Sequence, residues 1–351
     1  LKSADRTDAG GHPCNTDNVA TGDRGSRLSG YRYCSRNQSG RRGVSVDMSS
    51  SSRSVMLSTA RGTHLDAFGR VEWSLLVGVA LIWGSSFFFM AIGLEAFSPG
   101  LITLARVGLG TVALALVKQA RRPIDRSDMG RVVVLGLIWI GIPLTLFPIA
   151  QQWIDSSVAG MLNAAMPVTT ALWATALLRR APGRRQQIGI AIGFFGVVAV
   201  SLPEVLDSSA TALGVGLVLL AIVMYGLAAN MAVPLQQQYG SLPVLLRAQM
   251  AALVLVTPIG LAQIGSSSWQ WSSAIAMIPL GVFGTGLAFV LMATLVGRAG
   301  APRGAIAIYF VPIVAVVLGV LFLDERIEPI AYLGAALVLL GSWIASRAEA
   351  A

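Results

Sequence analysis

The sequence predicts an all-α integral membrane protein: ten transmembrane helices, arranged as two inverted five-helix repeats around a central cavity. Three observations predict it. Ten apolar stretches fill residues 73–344, and only two charged side chains, Arg106 and Arg247, sit well inside any of them. Lysines and arginines crowd into alternate loops between the stretches. Residues 145 positions apart match without a gap: Gly136 with Gly281, Gly141 with Gly286, Pro167 with Pro312, Gly189 with Gly334 and Gly196 with Gly341.

A helix of about 20 apolar residues crosses the roughly 30 Å hydrocarbon layer of a bilayer. The stretches 73–94, 100–118, 132–151, 156–178, 188–202, 212–233, 243–263, 274–296, 301–323 and 328–346 are read as spans. Breakers fall where loops are needed, at Ser98-Pro99-Gly100, Ala181-Pro182-Gly183 and Ser241-Leu242-Pro243. The second loop carries Arg121, Arg122, Arg126 and Arg131, with Lys118 at its edge. The fourth carries Arg179, Arg180, Arg184 and Arg185, the eighth Arg298 and Arg303, and Arg347 follows the last span. The first, third, fifth and seventh loops carry no Lys or Arg, and the ninth holds Arg326 amid Asp324, Glu325 and Glu328. Positive loops stay cytoplasmic. The expectation is a multi-pass protein of the inner (plasma) membrane with both termini in the cytoplasm, which requires an even number of spans.

Composition agrees. Hydrophobic residues make up 54% and charged residues 12%, whereas a soluble domain carries about 25% charge. The net charge of +9 is accounted for by orienting loops, so the partners expected are the lipid bilayer and a small-molecule substrate, with no nucleic acid. Cys14, Cys34, His12 and His64 all precede the first span. The spans therefore offer no thiol nucleophile, imidazole relay or Cys/His metal site, and no metal or other cofactor is expected. Residues 1–70 hold eleven Lys/Arg and six Asp/Glu, with many Gly and Ser and no apolar periodicity. They are expected to be a disordered basic tail. The chain begins at Leu1, and Met48 and Met56 are alternative starts that would leave most of this tail outside the working protein.

The 145-residue match divides the remainder into a first repeat, 71–205, and a second, 210–347. Trp83-Gly84 corresponds to Tyr225-Gly226, and Arg106 to Arg247, at slightly smaller offsets. Five spans per copy is an odd number, so the second copy is inverted in the bilayer. Basic Arg179-Arg180 accordingly stands opposite acidic Asp324-Glu325. Inverted repeats recur in secondary transporters, with the substrate near the midplane between them.

The segments LIWGSSFFFMAIGLEAFSPGLITLAR and GTGLAFVLMATLVGRAGAPRGAIAIYFVPIVAVVLGVLFLDERIEPIAYLGAALVLLGSWI resemble EamA-type permeases of the drug/metabolite transporter superfamily. The second is the more specific, with Pro312 followed by Leu-Asp-Glu-Arg and then Gly334. The resemblance covers 73–346 and implies metabolite export or exchange through a central cavity. One departure stands out: the family often has a Glu just after the fourth span, where this chain has Arg180, whereas Glu325 keeps it in the second repeat.

Candidate substrate contacts are the polar and aromatic side chains within spans: Trp83, Ser85, Ser86, Arg106, Trp139, Asn163, Tyr225, Asn230, Thr285 and Tyr309. A site for small polar solutes needs apolar walls with a few convergent polar groups, although Ser, Thr and Asn also join helices to one another. Arg106 lies seven residues past Pro99, about 10 Å into its helix. There it either attracts an anionic group such as an amino-acid carboxylate or snorkels to the interface. Arg247 is closer to its span's start, and snorkelling or bonding to carbonyls is the reading favoured for it. Pro167 and Pro312 are candidate kinks or hinges. Gly189, Gly193, Gly196, Gly334 and Gly341 are assigned to close helix packing, within the bundle or between protomers, the chain being a monomer or homodimer.

Glu95, Asp155, Glu204, Asp207, Asp324, Glu325 and Glu328 lie at span ends or in loops, so no mid-membrane carboxylate offers a proton relay. No Walker pattern is present. The function expected is export or exchange of small metabolites, amino acids above all, by alternating access. Multidrug or cationic-compound efflux is the alternative within transport. An embedded enzyme acting on lipid-linked substrates is the alternative from another class, and an assembly protein a third.

Overall fold

The computed structural model describes residues 69–178 and 183–346. Cys14, Cys34, His12, His64, Met48 and Met56, the pair Arg179-Arg180, and Arg347 lie outside the described residues. Among the described residues the chain is helical, with no strand. The first repeat comprises α1 (Arg70–Leu94), α2 (Pro99–Ala115), α3 (Arg126–Ala150), α4 in two segments (Ser156–Asn163 and Met166–Leu178) and α5 (Arg184–Asp207). The second comprises α6 (Ser209–Tyr239), α7 (Ser241–Ala262), α8 (Trp271–Ala299), α9 and α10 (Pro329–Ser346). Helix α9 runs as Ala301–Gly304, a 3₁₀ stretch Ala305–Phe310, and Val311–Phe322. Five of these helices, α1, α3, α6, α7 and α8, are each long and apolar enough to cross a bilayer, and the others are shorter apolar helices or broken ones.

Helix pairing has the pattern of an inverted duplication. Helix α1 packs on α8 and α9, and its counterpart α6 packs on α3 and α4. Helix α2 packs on α8, and α7 on α3; α2 also packs on α7, α4 on α9, and α5 on α10. Each of these contacts has itself or another of them as its partner when the repeats are exchanged.

Glycine sets the closest approaches. A methyl on Gly84 would strike Val314, and one on Gly226 would strike Thr169. Those two collisions are equivalent in the two repeats, since Val314 lies 145 residues past Thr169. On α5 and α10, Gly196 faces the backbone of Gly334 and Val338, while Gly341 faces Gly189 and Gly193. This small-residue seam lies within the bundle, where close backbone approach substitutes for a hydrophobic driving force.

Both repeats depart from α-helical geometry at matching places. Helix α3 widens to a π-helix over Leu137–Gly141, and α8 over Pro279–Leu287. Helix α4 is interrupted after Asn163, where Ala165 N–H donates to Leu162 and Val168 N–H to Ala165, bonds of the tighter 3₁₀ kind. Pro167 and Pro312 each occupy the second position of the segment that follows the break. There the missing N–H costs little, because the first turn of a helix has no internal acceptor for it.

Two faces result. On one, Ser98 N–H donates to Ser267 Oγ (2.9 Å) and Ser268 N–H to the Ala96 carbonyl (2.8 Å). The segment 323–328 lies on this face too, joined to the start of α4. On the other, Glu72 pairs with Arg298 (2.6 Å), and Tyr239 donates to Asp128 (2.7 Å). Helix α3 reaches further than expected, taking in Arg126 and Arg131, because Asp128 receives both Tyr239 and Arg131 (3.2 Å) at its polar start.

Candidate functional site

A small cavity, with about 30 Å³ of water-accessible space, lies between the repeats. Trp83, Ser86, Phe87 and Met90 of α1 line one side, with Arg106 of α2 and with Leu144 and Phe147 of α3. Asn163, the last residue before the break in α4, and Tyr225 of α6 complete it. The walls are mainly aromatic and apolar. Phe147 stacks on Tyr225 with centroids 5.9 Å apart, and Phe87 meets Phe147 edge-on at 5.5 Å. Trp83 and Tyr225, the aromatic residues that precede the matched glycines, both reach it, one from each repeat.

Arg106 is the charged side chain of this lining and is only 3% exposed. Its Nε donates to Thr285 Oγ1 (3.1 Å) and one terminal nitrogen contacts Met90 Sδ (3.7 Å). Among the described residues no carboxylate pairs with it. A guanidinium has five N–H donors, and leaving such a charge buried without a counter-charge costs several kcal/mol. One hydrogen bond from a charged group returns about 1.5–3 kcal/mol. The guanidinium is thus left with donors to spare inside an apolar-walled space, which is the arrangement that receives a carboxylate.

The π-helix in α8 builds the support for Arg106. Thr285 Oγ1 itself donates to the Leu280 carbonyl (3.2 Å), five residues back. The Thr285 carbonyl accepts from Gln249 Nε2 of α7 (2.5 Å). The Gly284 carbonyl accepts from Trp83 Nε1 (3.0 Å), so the indole is held by the same bulge. Helices α1, α2 and α7 therefore converge on a few residues of α8.

The structure gathers five of the expected residues at the cavity: Trp83, Ser86, Arg106, Asn163 and Tyr225. Thr285 joins them through Arg106. Trp139 stands behind, fully buried and edge-on to Phe289 (5.6 Å), and Phe289 in turn meets Trp83 (5.1 Å). Ser85 lies off the lining and bonds within α1 to Ile82. Asn230 also lies off it and stitches α6 to α4, donating to the Thr170 and Gly226 carbonyls (both 2.9 Å). Tyr309 is buried in the 3₁₀ stretch of α9, apart from the lining. Arg247 reaches the Ala120 carbonyl (2.5 Å) and the Arg121 carbonyl (3.2 Å), outside the cavity. The sequence reading passed over Phe87, Met90, Leu144, Phe147 and Gln249. Of these Gln249 carried a usable signal, an amide side chain inside an apolar stretch.

The model of the EamA-like transporter family matches residues 72–202 and again 212–347. The chain belongs to the EamA-like transporter family. It is similar to a probable terminal-alkyne amino-acid exporter of Streptantibioticus cattleyicolor, at 26% identity over 79% of this chain and 94% of that protein. It is also similar to the threonine/homoserine exporter RhtA of Escherichia coli K12, at 27% identity over 78% and 92%, and to an uncharacterized transporter of Archaeoglobus fulgidus, at 22% identity over 79% and 99%. A crystal structure 15% identical in sequence superposes with a TM-score of 0.59 over 78% of this chain and 95% of that one, a likeness of fold. This EamA-like chain is a multi-pass membrane protein, and its family and relatives point to a transporter of small molecules rather than an enzyme.

Proposed function

We propose that this transporter exports or exchanges amino acids or closely related carboxylates by alternating access, with Arg106 receiving the carboxylate. The observation that carries the reading is a buried guanidinium, without an acid among the described residues, on the wall of the cavity between the repeats. Asn163 offers the cavity an amide, and its Oδ1 has no hydrogen-bond partner among the described residues. That oxygen suits an ammonium or hydroxyl of the solute. The aromatic walls suit an aliphatic or aromatic side chain. The names of two relatives, both amino-acid exporters, support the same substrate class. Efflux of cationic compounds is disfavoured, because Arg106 repels a cation in a low-dielectric space. Pro167 and Pro312, at the breaks in α4 and α9, are proposed as the points where the two helices bend during the cycle. On this reading the repeats are 71–205 and 210–347, and the arginine-bearing loops support both termini being in the cytoplasm of a plasma-membrane protein.

The test is counterflow in proteoliposomes with a panel of labelled amino acids, run with and without a pH gradient. Arg106→Gln is expected to reduce uptake of the accepted substrate by about 10- to 100-fold, the loss of one charge-assisted carboxylate contact. Full activity in that variant, or uptake of cations in place of carboxylates, would overturn the proposal.

A further inference from the structure

We propose that Glu325 is the gating residue of the transport cycle. Bound to the start of α4, it holds shut the face that carries residues 323–328, and this closed state is the resting one, so the cavity loads from the opposite face. The proposal rests on the transport reading of the cavity.

The seat for this carboxylate is built from both repeats. Glu325 Oε1 accepts from Ser156 N–H (2.9 Å) and Ser156 Oγ (2.6 Å). Oε2 accepts from Ser157 N–H (3.0 Å) and from the Ser157 hydroxyl. Four donors thus converge on one carboxylate at the N-terminus of a helix, where backbone N–H groups lack internal partners and negative charge is favoured. Both serines are buried. Asp155 occupies the N-cap position itself but makes no side-chain cap bond; an acid from the other repeat does the capping.

The backbone around Glu325 is shaped for that role. Leu323 and Glu325 N–H groups both donate to the Gly319 carbonyl (3.0 and 3.2 Å), with Asp324 between them in the left-handed region at φ +54°. A Cβ on Gly319 would occupy the space taken by Glu325 Oε2 and Ser157 Oγ. The glycine is what lets the carboxylate reach its seat.

The device is one-sided. Exchanging the repeats takes Glu325 to Arg180, Ser156 to Ala301 and Ser157 to Pro302. Arginine accepts no hydrogen bond, alanine has no hydroxyl and proline has no N–H, so the sequence does not encode the same four-donor seat at the exchanged positions. Two other helix pairs are tied near both ends. Helices α1 and α8 are joined by Glu72–Arg298 at one face and by Ser273 Oγ to the Ile92 carbonyl (2.7 Å) at the other. Helix α7 is tied to the segment after α2 by Arg247 to the Ala120 carbonyl and to the start of α2 by Gly100 N–H to Gln263 Oε1 (2.8 Å). Among the described residues, the α4–α9 pair has its carboxylate seat at one face. The capped segment Ser156–Asn163 ends on the cavity wall, so releasing the carboxylate frees a helix that reaches the solute.

The experiment places a single cysteine at Ser86→Cys on the cavity wall of the full chain, with Cys14 and Cys34 changed to serine. Labelling by a membrane-impermeant thiol reagent is timed in vesicles of both orientations. In the parent the cysteine is expected to react at least about tenfold faster from the face opposite Glu325. Glu325→Gln, and separately the pair Ser156→Ala/Ser157→Ala, are each expected to raise the rate from the Glu325 face about tenfold, as loss of charge-assisted bonds requires. A side preference unchanged in both variants, or reversed in the parent, overturns the gate and leaves the transport reading standing. No labelling from either side, together with no substrate counterflow, removes the transport reading and the gate with it.

Discussion

The two arginines of the repeats begin from equivalent places in sequence and end in different chemistry. Arg106 is enclosed in the cavity, bonded to Thr285 and without a carboxylate among the described residues. Arg247 has its terminal nitrogens on the Ala120 and Arg121 carbonyls, near the polar loop between α2 and α3. The same division runs through the bundle. Backbone features repeat faithfully: the π-helices of α3 and α8, the breaks before Pro167 and Pro312, the glycine collisions at Gly84 and Gly226. Apart from the matched aromatic pair Trp83 and Tyr225, side chains that touch the cavity do not repeat. Position 145 beyond Asn163 is Ile308, and 145 beyond Phe147 is Met292. Inverted symmetry in the backbone gives the protein two related shapes, one open to each face. A small solute has no such symmetry, and neither has the surface that binds it.

The largest effects should break this comparison at the arginines. Arg106→Lys keeps the charge but loses the planar fork, and an apparent affinity about tenfold weaker in counterflow is expected. Arg247→Lys and Arg247→Gln should remain within about threefold of the parent, because backbone carbonyls on a loop can be rehydrated. Equal losses at the two sites would erase the distinction. Next comes Asn163→Leu against Asn230→Leu. The first should weaken substrate binding about tenfold with little change in thermal midpoint, since it removes a polar group facing the solute. The second should leave affinity unchanged and lower the thermal midpoint of the solubilised protein, since it removes a stitch between α6 and α4 worth roughly 1 kcal/mol.

A third pair tests the shared backbone. Gly196→Val and Gly334→Val, across the seam of α5 and α10, should lower the thermal midpoint by similar amounts, roughly 5 °C, the cost of overpacking. Unequal losses would mean that the repeats are not equivalent there.

The smallest effect concerns Asp155. Burial, and then the nearby charge of Glu325, raise its pKa above the ordinary carboxylate value. A carboxyl with a raised pKa resists ionisation in the folded state. The penalty is absent below the unfolded-state value and grows as pH rises through the folded one. Asp155→Asn should therefore raise the thermal midpoint slightly at pH 7, by about 1 °C or less given solvent screening at this partly exposed side chain. The gain should vanish toward pH 3.

The ten spans, the duplication and the segregation of arginines to alternate loops were legible in the sequence because lipid imposes them residue by residue. Helix ends were less so: α3 starts at Arg126 because Asp128 and Tyr239 extend it into the polar region. The site was legible only in its residue types. Asn163 and Asn230 present the same amide in the same apolar setting, yet one lines the cavity and the other bonds to a neighbouring helix. Which way a side chain points around a helix depends on packing and on local winding. One extra residue in a turn, as in the π-helix that carries Thr285, turns the following side chains by about 100°. No periodicity count reveals that. Glu325 was visible as an acid in a loop, but its seat on Ser156 and Ser157 joins residues from opposite ends of the two repeats.

The most direct measurement is equilibrium binding of an accepted amino acid and of its carboxamide to the purified protein and to Arg106→Gln. The parent should prefer the free carboxylate by at least about tenfold, and the variant should bind both forms alike. A parent that binds acid and amide equally, or a variant that still prefers the acid, would contradict the assignment of Arg106 as the anchor of the solute.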